Sequence, residues 1–167
     1  MAKNIVPDTE IPFEHERRFF PDMNALPFDF KGYPKESILQ GYLEDGLRTR
    51  IRDTNDSEGH RYTQTRKTGE GVSRPEDEDA IAQDEFIILR KKVTCSLVKT
   101  RYFITWDGID AQLNVYHAAL DGYVQIEVEF KTHEEAVAFI PPAWIGREVT
   151  DDPAHGNYSL ARYGLPK

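Results

Sequence analysis

The stretch LVKTRYFITWDGIDAQLNVYH, residues 97–117, decides how this chain folds. Side chains two apart in a strand share a face. Lys99 and Arg101 therefore point one way, and Val98, Tyr102 and Ile104 the other. Asp107-Gly108 reads as a turn between the strands Leu97–Trp106 and Ala111–His117. Tyr123–Lys131 repeats the pattern, with Glu127 and Glu129 opposite Val124, Ile126, Val128 and Phe130. Working back toward the N-terminus, strands are expected at Phe13–Phe20, Glu36–Leu43, Leu47–Asp53, Arg61–Thr68 and Val72–Ala80. Asp53–Gly59 reads as a turn. Asp84–Lys92 and Thr132–Phe139 read as helices, the first from Phe86, Leu89 and Val93 at three- and four-residue spacing, the second from a Thr132/Glu135 capping box. The tail 143–167 is irregular apart from a turn of helix near Tyr158–Tyr163.

The charges fall on particular faces. Glu14, Glu16 and Arg18 share one, as do Arg48, Arg50 and Arg52; Lys67 closes the fourth strand; Arg74, Glu76 and Glu78 alternate in the fifth. A half-solvated sheet would account for any one of these strands. It does not account for the set, because like charges two apart repel unless opposite charge lies between them. These faces carry six glutamates and eight Lys/Arg, an excess of base in a chain whose net charge is -8. A closed barrel with a charged lumen and an apolar exterior covered by helices would explain this. Its basic side would hold a polyanion and its acidic side divalent cations.

The bulk numbers agree. At 167 residues, 39% apolar and 30% charged, the chain suits one water-soluble domain, 1–167, with no linker long enough to divide it. The net charge disfavours nucleic-acid duplexes and anionic membranes. A lone Cys95 forms no internal disulfide, and no signal peptide or long apolar run is visible, so the expected location is cytoplasmic.

Several motifs stand in order: Glu14-His15-Glu16-Arg17-Arg18, Gln40-Gly41-Tyr42-Leu43, Arg50-Ile51-Arg52, Thr65-Arg66-Lys67-Thr68-Gly69, Ser73-Arg74-Pro75-Glu76-Asp77-Glu78, Lys99-Thr100-Arg101-Tyr102 and Glu127-Val128-Glu129-Phe130. With the tail motif 142–152 and residues 157–160, their order and spacing resemble the CYTH, or triphosphate tunnel metalloenzyme, family in its short bacterial form. The resemblance covers nearly the whole chain. It implies a mainly β, α+β fold: an eight-stranded antiparallel β-barrel (tunnel) with a few helices packed outside. It also implies a small triphosphate-containing substrate, bound Mg²⁺ or Mn²⁺, and hydrolysis, most readily of inorganic tripolyphosphate. A weakly catalytic triphosphate- or polyphosphate-binding module and a CYTH-type adenylate cyclase are the alternatives. Whether the chain is a monomer or homodimer is left open.

Glu14, Glu16 and Arg18 are then the catalytic candidates. Glu14, Glu16, Glu127 and Glu129 are the metal ligands, since hard cations take carboxylate oxygens. Arg50, Arg52, Lys67, Arg74, Lys99 and Arg101 bind phosphate, arginine as a fork and lysine as a point charge. Glu76 and Glu78 are either further metal ligands or partners that orient the arginines, and Arg48 either joins them or faces solvent. Two departures from the family pattern stand out. Arg18 replaces a lysine, and arginine keeps its proton at ordinary pH, so it cannot act as a base. Asn114 replaces a metal-binding aspartate, offering an oxygen without a charge. The five histidines show no paired spacing, Cys95 has no nearby histidine on its run, and Trp106 and Trp144 read as packing residues. There is no phosphate-binding glycine loop of the Walker type.

Overall fold

The computed structural model describes residues 15–45, 49–67 and 76–167. Glu14, Arg48 and Arg74 lie outside the described residues, as do the side chains of Lys67 and Glu76. The strands are β1 (His15–Phe20), β2 (Lys35–Leu43), β3 (Arg50–Asp56), β4 (Gly59–Lys67), β5 (Glu76–Ala80), β6 (Val93–Trp106), β7 (Ile109–Tyr116), β8 (Val124–Phe130) and β9 (Arg147–Glu148). The helices are α1 (Gln83–Arg90), α2 (His133–Ala138) and α3 (Asn157–Tyr163).

All pairings are antiparallel, in the order β5-β4-β3-β2-β6-β7-β8-β1-β9. This corrects the expected closed eight-stranded barrel: the sheet has nine strands and, among the described residues, is open. The reason lies at the edge of β1. β9 pairs with Phe19 and Phe20, and the Val149 amide donates to the Arg18 carbonyl at 2.8 Å. That stretch of edge is therefore already occupied, and β5 is left beside β4 alone. The sheet nevertheless curls. Strands two apart in a flat sheet would lie about 10 Å from one another, yet Arg101 on β6 reaches over β7 to Glu127 on β8 at 3.1 Å.

Other boundaries shift for local reasons. The run 53–59 is mostly strand: Asp53 to Asp56 pair with Tyr62 to Gly59, leaving only Ser57 and Glu58 in the turn. α1 stops at Arg90, because Val93 already begins β6. α2 has the capping expected of it. Thr132 Oγ1 accepts from the Glu135 amide at 3.1 Å, and Glu135 Oε2 accepts from the Lys131 amide at 2.9 Å.

The alternation sorts the two faces. Phe19, Ile104, Leu113, Ile126 and Val128 build the main core on the convex side, joined by Phe130 and Phe139. Trp106 and Trp144 both pack on Phe28, in agreement with a packing role. A second cluster seats α1 through Phe86 and Leu89 on Leu43, Ile51 and Tyr62. No helix among the described residues is long and apolar enough to cross a membrane.

Gly146 fixes how the tail returns to β1. Its φ is +86°, and a Cβ there would sit 2.3 Å from the Phe20 carbonyl oxygen. Gly146→Ala is therefore expected to cost on the order of 3 kcal/mol of stability or more, from strain plus the clash. Chemical denaturation measures it; a loss below 0.5 kcal/mol, on the order of an ordinary surface change, would refute this account.

Candidate active site

Directly paired residues of antiparallel strands share a face, so the register assembles the site. Arg18 pairs with Glu127, and Glu16 with Glu129. Glu127 pairs with Gln112, and Asn114 with Arg101 on its other side. Arg101 pairs with Glu36, and Gln40 with Arg52. Arg50 pairs with Thr65, which pairs with Glu78. One concave face thus carries Glu16, Arg18, Arg50, Arg52, Glu78, Lys99, Arg101, Asn114, Glu127 and Glu129. All of these were sequence candidates.

The basic half lies on β2, β3 and β6. Arg52 donates through Nε and an Nη to Gln40 Oε1 at 3.2 and 3.1 Å. Arg50 reaches Thr65 Oγ1 and Glu78 Oε2, the latter at 3.2 Å. Arg52 lies 4.0 Å from the same Glu78 oxygen, so Glu78 orients arginines here, one of its two expected roles. Burial, then the neighbouring Arg50 and Arg101, depress the Arg52 guanidinium to about 10. Lys99 is wholly buried, and its Nζ, 5.4 Å from the centre of the Tyr116 ring, makes no hydrogen bond among the described residues. Burial, opposed by Glu127 but reinforced by Arg101 and Arg52, lowers its ammonium to about 7. Among the described residues, this half gathers Arg50, Arg52, Lys99 and Arg101 around the carboxylates of Glu78 and Glu36.

The acidic half lies on β8 and β1. Arg101 bridges to it, donating to Glu127 Oε2 at 3.1 Å and to Asn114 Oδ1 at 3.2 Å. Burial pushes the Glu127 carboxyl upward, but Lys99 and Arg101 outweigh it and hold it below the usual range. Glu16 behaves oppositely: burial, then the adjacent Glu127, raises it to about 7. Glu129 accepts from Gln112 Nε2 at 2.8 Å. Among the described residues no three His, Cys, Asp or Glu side chains converge tightly enough to cage a metal ion. The chemistry of Glu16 and Glu127 still fits a cation. Glu127 raises the proton affinity of the buried Glu16, and positive charge placed between the two carboxylates relieves that.

Some side chains at the site were not singled out in the sequence. Arg18 does not point free into the cavity: its guanidinium donates to the carbonyls of Thr150 at 2.7 Å and His155 at 3.4 Å, with Glu16 3.5 Å away. His155 is buried, with Nδ1 2.5 Å from the Tyr123 hydroxyl; burial lowers its imidazolium. Gln125 Nε2 donates to the His155 carbonyl at 3.0 Å. Tyr116 donates to Asn157 Oδ1 at 2.7 Å, and Leu97, Tyr116, Tyr123 and Leu160 pack together. Gln40 and Tyr42 lay within a quoted motif, and their parity with Glu36 would have placed them on this face. Nothing local to residues 149–160 signals their part in it.

Comparison with known proteins follows the same lines. An inorganic triphosphatase of Nitrosomonas europaea is 36% identical over 159 residues, covering 89% of this chain and 96% of that protein. One of Acetivibrio thermocellus is 31% identical over 156 residues, covering 89% and 93%. The crystal structure of an inorganic triphosphatase superposes with a TM-score of 0.66 at 32% identity, covering 87% of this chain and 95% of that one. At 13% identity, a Hippeastrum protein described as an adenylyl cyclase with dominant triphosphatase activity shares the fold alone, with a TM-score of 0.57. No family model matches the chain. The two curated relatives are alike to it in sequence along nearly their whole length, and this chain belongs to the inorganic triphosphatase family.

Proposed function

We propose that this chain is a divalent-metal-dependent hydrolase of triphosphate compounds, with inorganic tripolyphosphate as its first substrate and the concave face as its tunnel. The observation that carries this reading is the crowding of Arg50, Arg52, Lys99 and Arg101. Burial and the neighbouring cations lower the proton affinity of Arg52 and Lys99, and a polyanion that enters the face relieves that crowding. The two named relatives, both inorganic triphosphatases, support the same conclusion.

Arg50, Arg52 and Arg101 would grip the phosphate chain as forks. Glu16 and Glu127, with Glu129 beside them, would hold Mg²⁺ or Mn²⁺, and the bound metal supplies charge neutralisation and water activation. Lys99, held near neutrality by burial, can take a proton from the attacking water. Arg18 is committed to two carbonyls, and Asn114 gives its oxygen to Arg101. These two contacts favour the second reading, a binding module with little turnover.

Phosphate release from tripolyphosphate, thiamine triphosphate and ATP, each with Mg²⁺, Mn²⁺ or chelator, separates the readings. The hydrolase is expected to release orthophosphate from tripolyphosphate fastest and to stop with chelator. Tight tripolyphosphate binding without release would establish the binding module instead. Turnover indifferent to chelator would remove the metal from the proposal.

A further inference from the structure

The segment 149–163 crosses the concave face, and its contacts all lie toward one end of the strands. Arg18, late in β1, donates to the Thr150 and His155 carbonyls. Gln125, early in β8, also reaches the His155 carbonyl. Tyr116, the last residue of β7, donates to Asn157, and Tyr42, near the end of β2, packs edge-on against Tyr158 at 5.2 Å. Arg162 pairs with Glu44 at 3.0 Å, just beyond β2. Each position lies toward the same rim of the sheet, and by register that rim steps diagonally, with Tyr42 beside Cys95, Tyr116 beside Lys99, Gln125 beside Asn114 and Arg18 beside Glu127. The segment is therefore a strap that closes one end of the face, while Glu36, Arg52, Arg61 and Glu78 line a cavity of about 430 Å³ on the β2–β5 side.

The strap also touches the phosphate-binding side. Tyr158 packs on Tyr42, whose hydroxyl accepts from Gln40 Nε2, and Gln40 Oε1 accepts from Arg52. Three short links thus run from α3 to a guanidinium of the basic cluster.

We infer that Arg18 is a positioning residue: it pins the strap across the closed end and, through Tyr158, Tyr42 and Gln40, sets Arg52 toward the triphosphate. This rests on the proposed substrate class, not on turnover. The planar guanidinium suits the task, because its fixed fork of donors reaches two carbonyls at once, where an ammonium is a single point of charge. The carbonyls belong to residues 132 and 137 positions downstream, so the contact joins the first strand to the tail. A strap over that end also stands in the way of a longer anion chain.

The test compares Arg18→Met, Arg18→Lys, Asn157→Ala and the double variant Arg18→Met/Asn157→Ala. Amide hydrogen exchange across 149–163 is measured without substrate. The affinity for tripolyphosphate is taken by calorimetry, and KM and kcat are measured where there is turnover. Arg18→Met is expected to speed exchange in the strap about tenfold and to weaken tripolyphosphate binding about tenfold through KM rather than kcat, with Arg18→Lys intermediate. Asn157→Ala, which leaves Arg18 in place, should do the same, and the double variant should be no worse than the poorer single one, as for residues acting through one element. The ratio of activity on long-chain polyphosphate to that on tripolyphosphate should rise. Unchanged strap exchange in Arg18→Met, or multiplying losses in the double variant, would show that Arg18 acts on the substrate directly and overturn the inference. Should Arg18→Met not fold, Asn157→Ala decides alone: faster strap exchange with unaltered tripolyphosphate affinity overturns it. A chain that binds but does not hydrolyse is still decided by exchange and affinity, so failure of the hydrolase reading stays distinct.

Discussion

Lys99→Arg is expected to remove hydrolysis by a factor of about 10²–10⁴, the range for loss of a positioned acid or base, while tripolyphosphate still binds. Arginine keeps the positive charge that attracts the anion, but it does not give up a proton at ordinary pH. Lys99 can, because burial lowers its ammonium to about 7. In the unaltered chain kcat/KM should accordingly rise as pH increases through about 7, where both Lys99 and the raised Glu16 lose their protons. Parallel rate–pH profiles and tripolyphosphate titrations check this. An arginine variant of normal rate would reduce Lys99 to a phosphate anchor.

Lys99→Met tests the same group from the stability side. The folded pKa of Lys99 lies below its unfolded value of about 10.4. Between the two, the unfolded chain binds the proton more strongly, so the penalty is fully present below about 7 and is relieved as pH rises from there. Burial of this ammonium outweighs its attraction to Glu127, so an apolar chain in its place removes a net penalty. The inactive Met variant should therefore melt higher at pH 6, by roughly 2–4 °C for each kcal/mol recovered, and the gap should narrow at pH 9.

Glu127→Gln is expected to cost about 10²–10³ in kcat/KM, comparable to losing one strong transition-state contact, and to move the acid limb of the residual activity to lower pH. The glutamate is 3% exposed and bonds Arg101. It is also the strongest influence holding the Lys99 pKa up, and the strongest neighbouring charge raising Glu16. Removing its charge lets both fall, so both should titrate below 7. A lower rate with an unmoved limb would mean that neither group sets the profile.

The sequence by itself determined the alternation of charged and apolar residues, and with it the β-rich fold, the division of the strands into two faces and the family. Alternation is a local property of extended backbone, legible from Lys99 and Arg101 against Val98 and Tyr102. It put Glu16 with Arg18, Arg50 with Arg52, and Glu127 with Glu129 on a shared face of each strand, and the register joins those faces into one. Tertiary structure alone decided whether that sheet closes, because closure depends on which segment occupies the edge of β1, and Arg147 and Glu148 come from more than a hundred residues away. It also decided that Lys99 is buried without a hydrogen bond among the described residues while Arg18, on the same face, is held by two backbone carbonyls. Burial and partner choice belong to the packed chain and not to any one strand, so the local pattern showed a turn of helix near Tyr158–Tyr163 but not its place across this face.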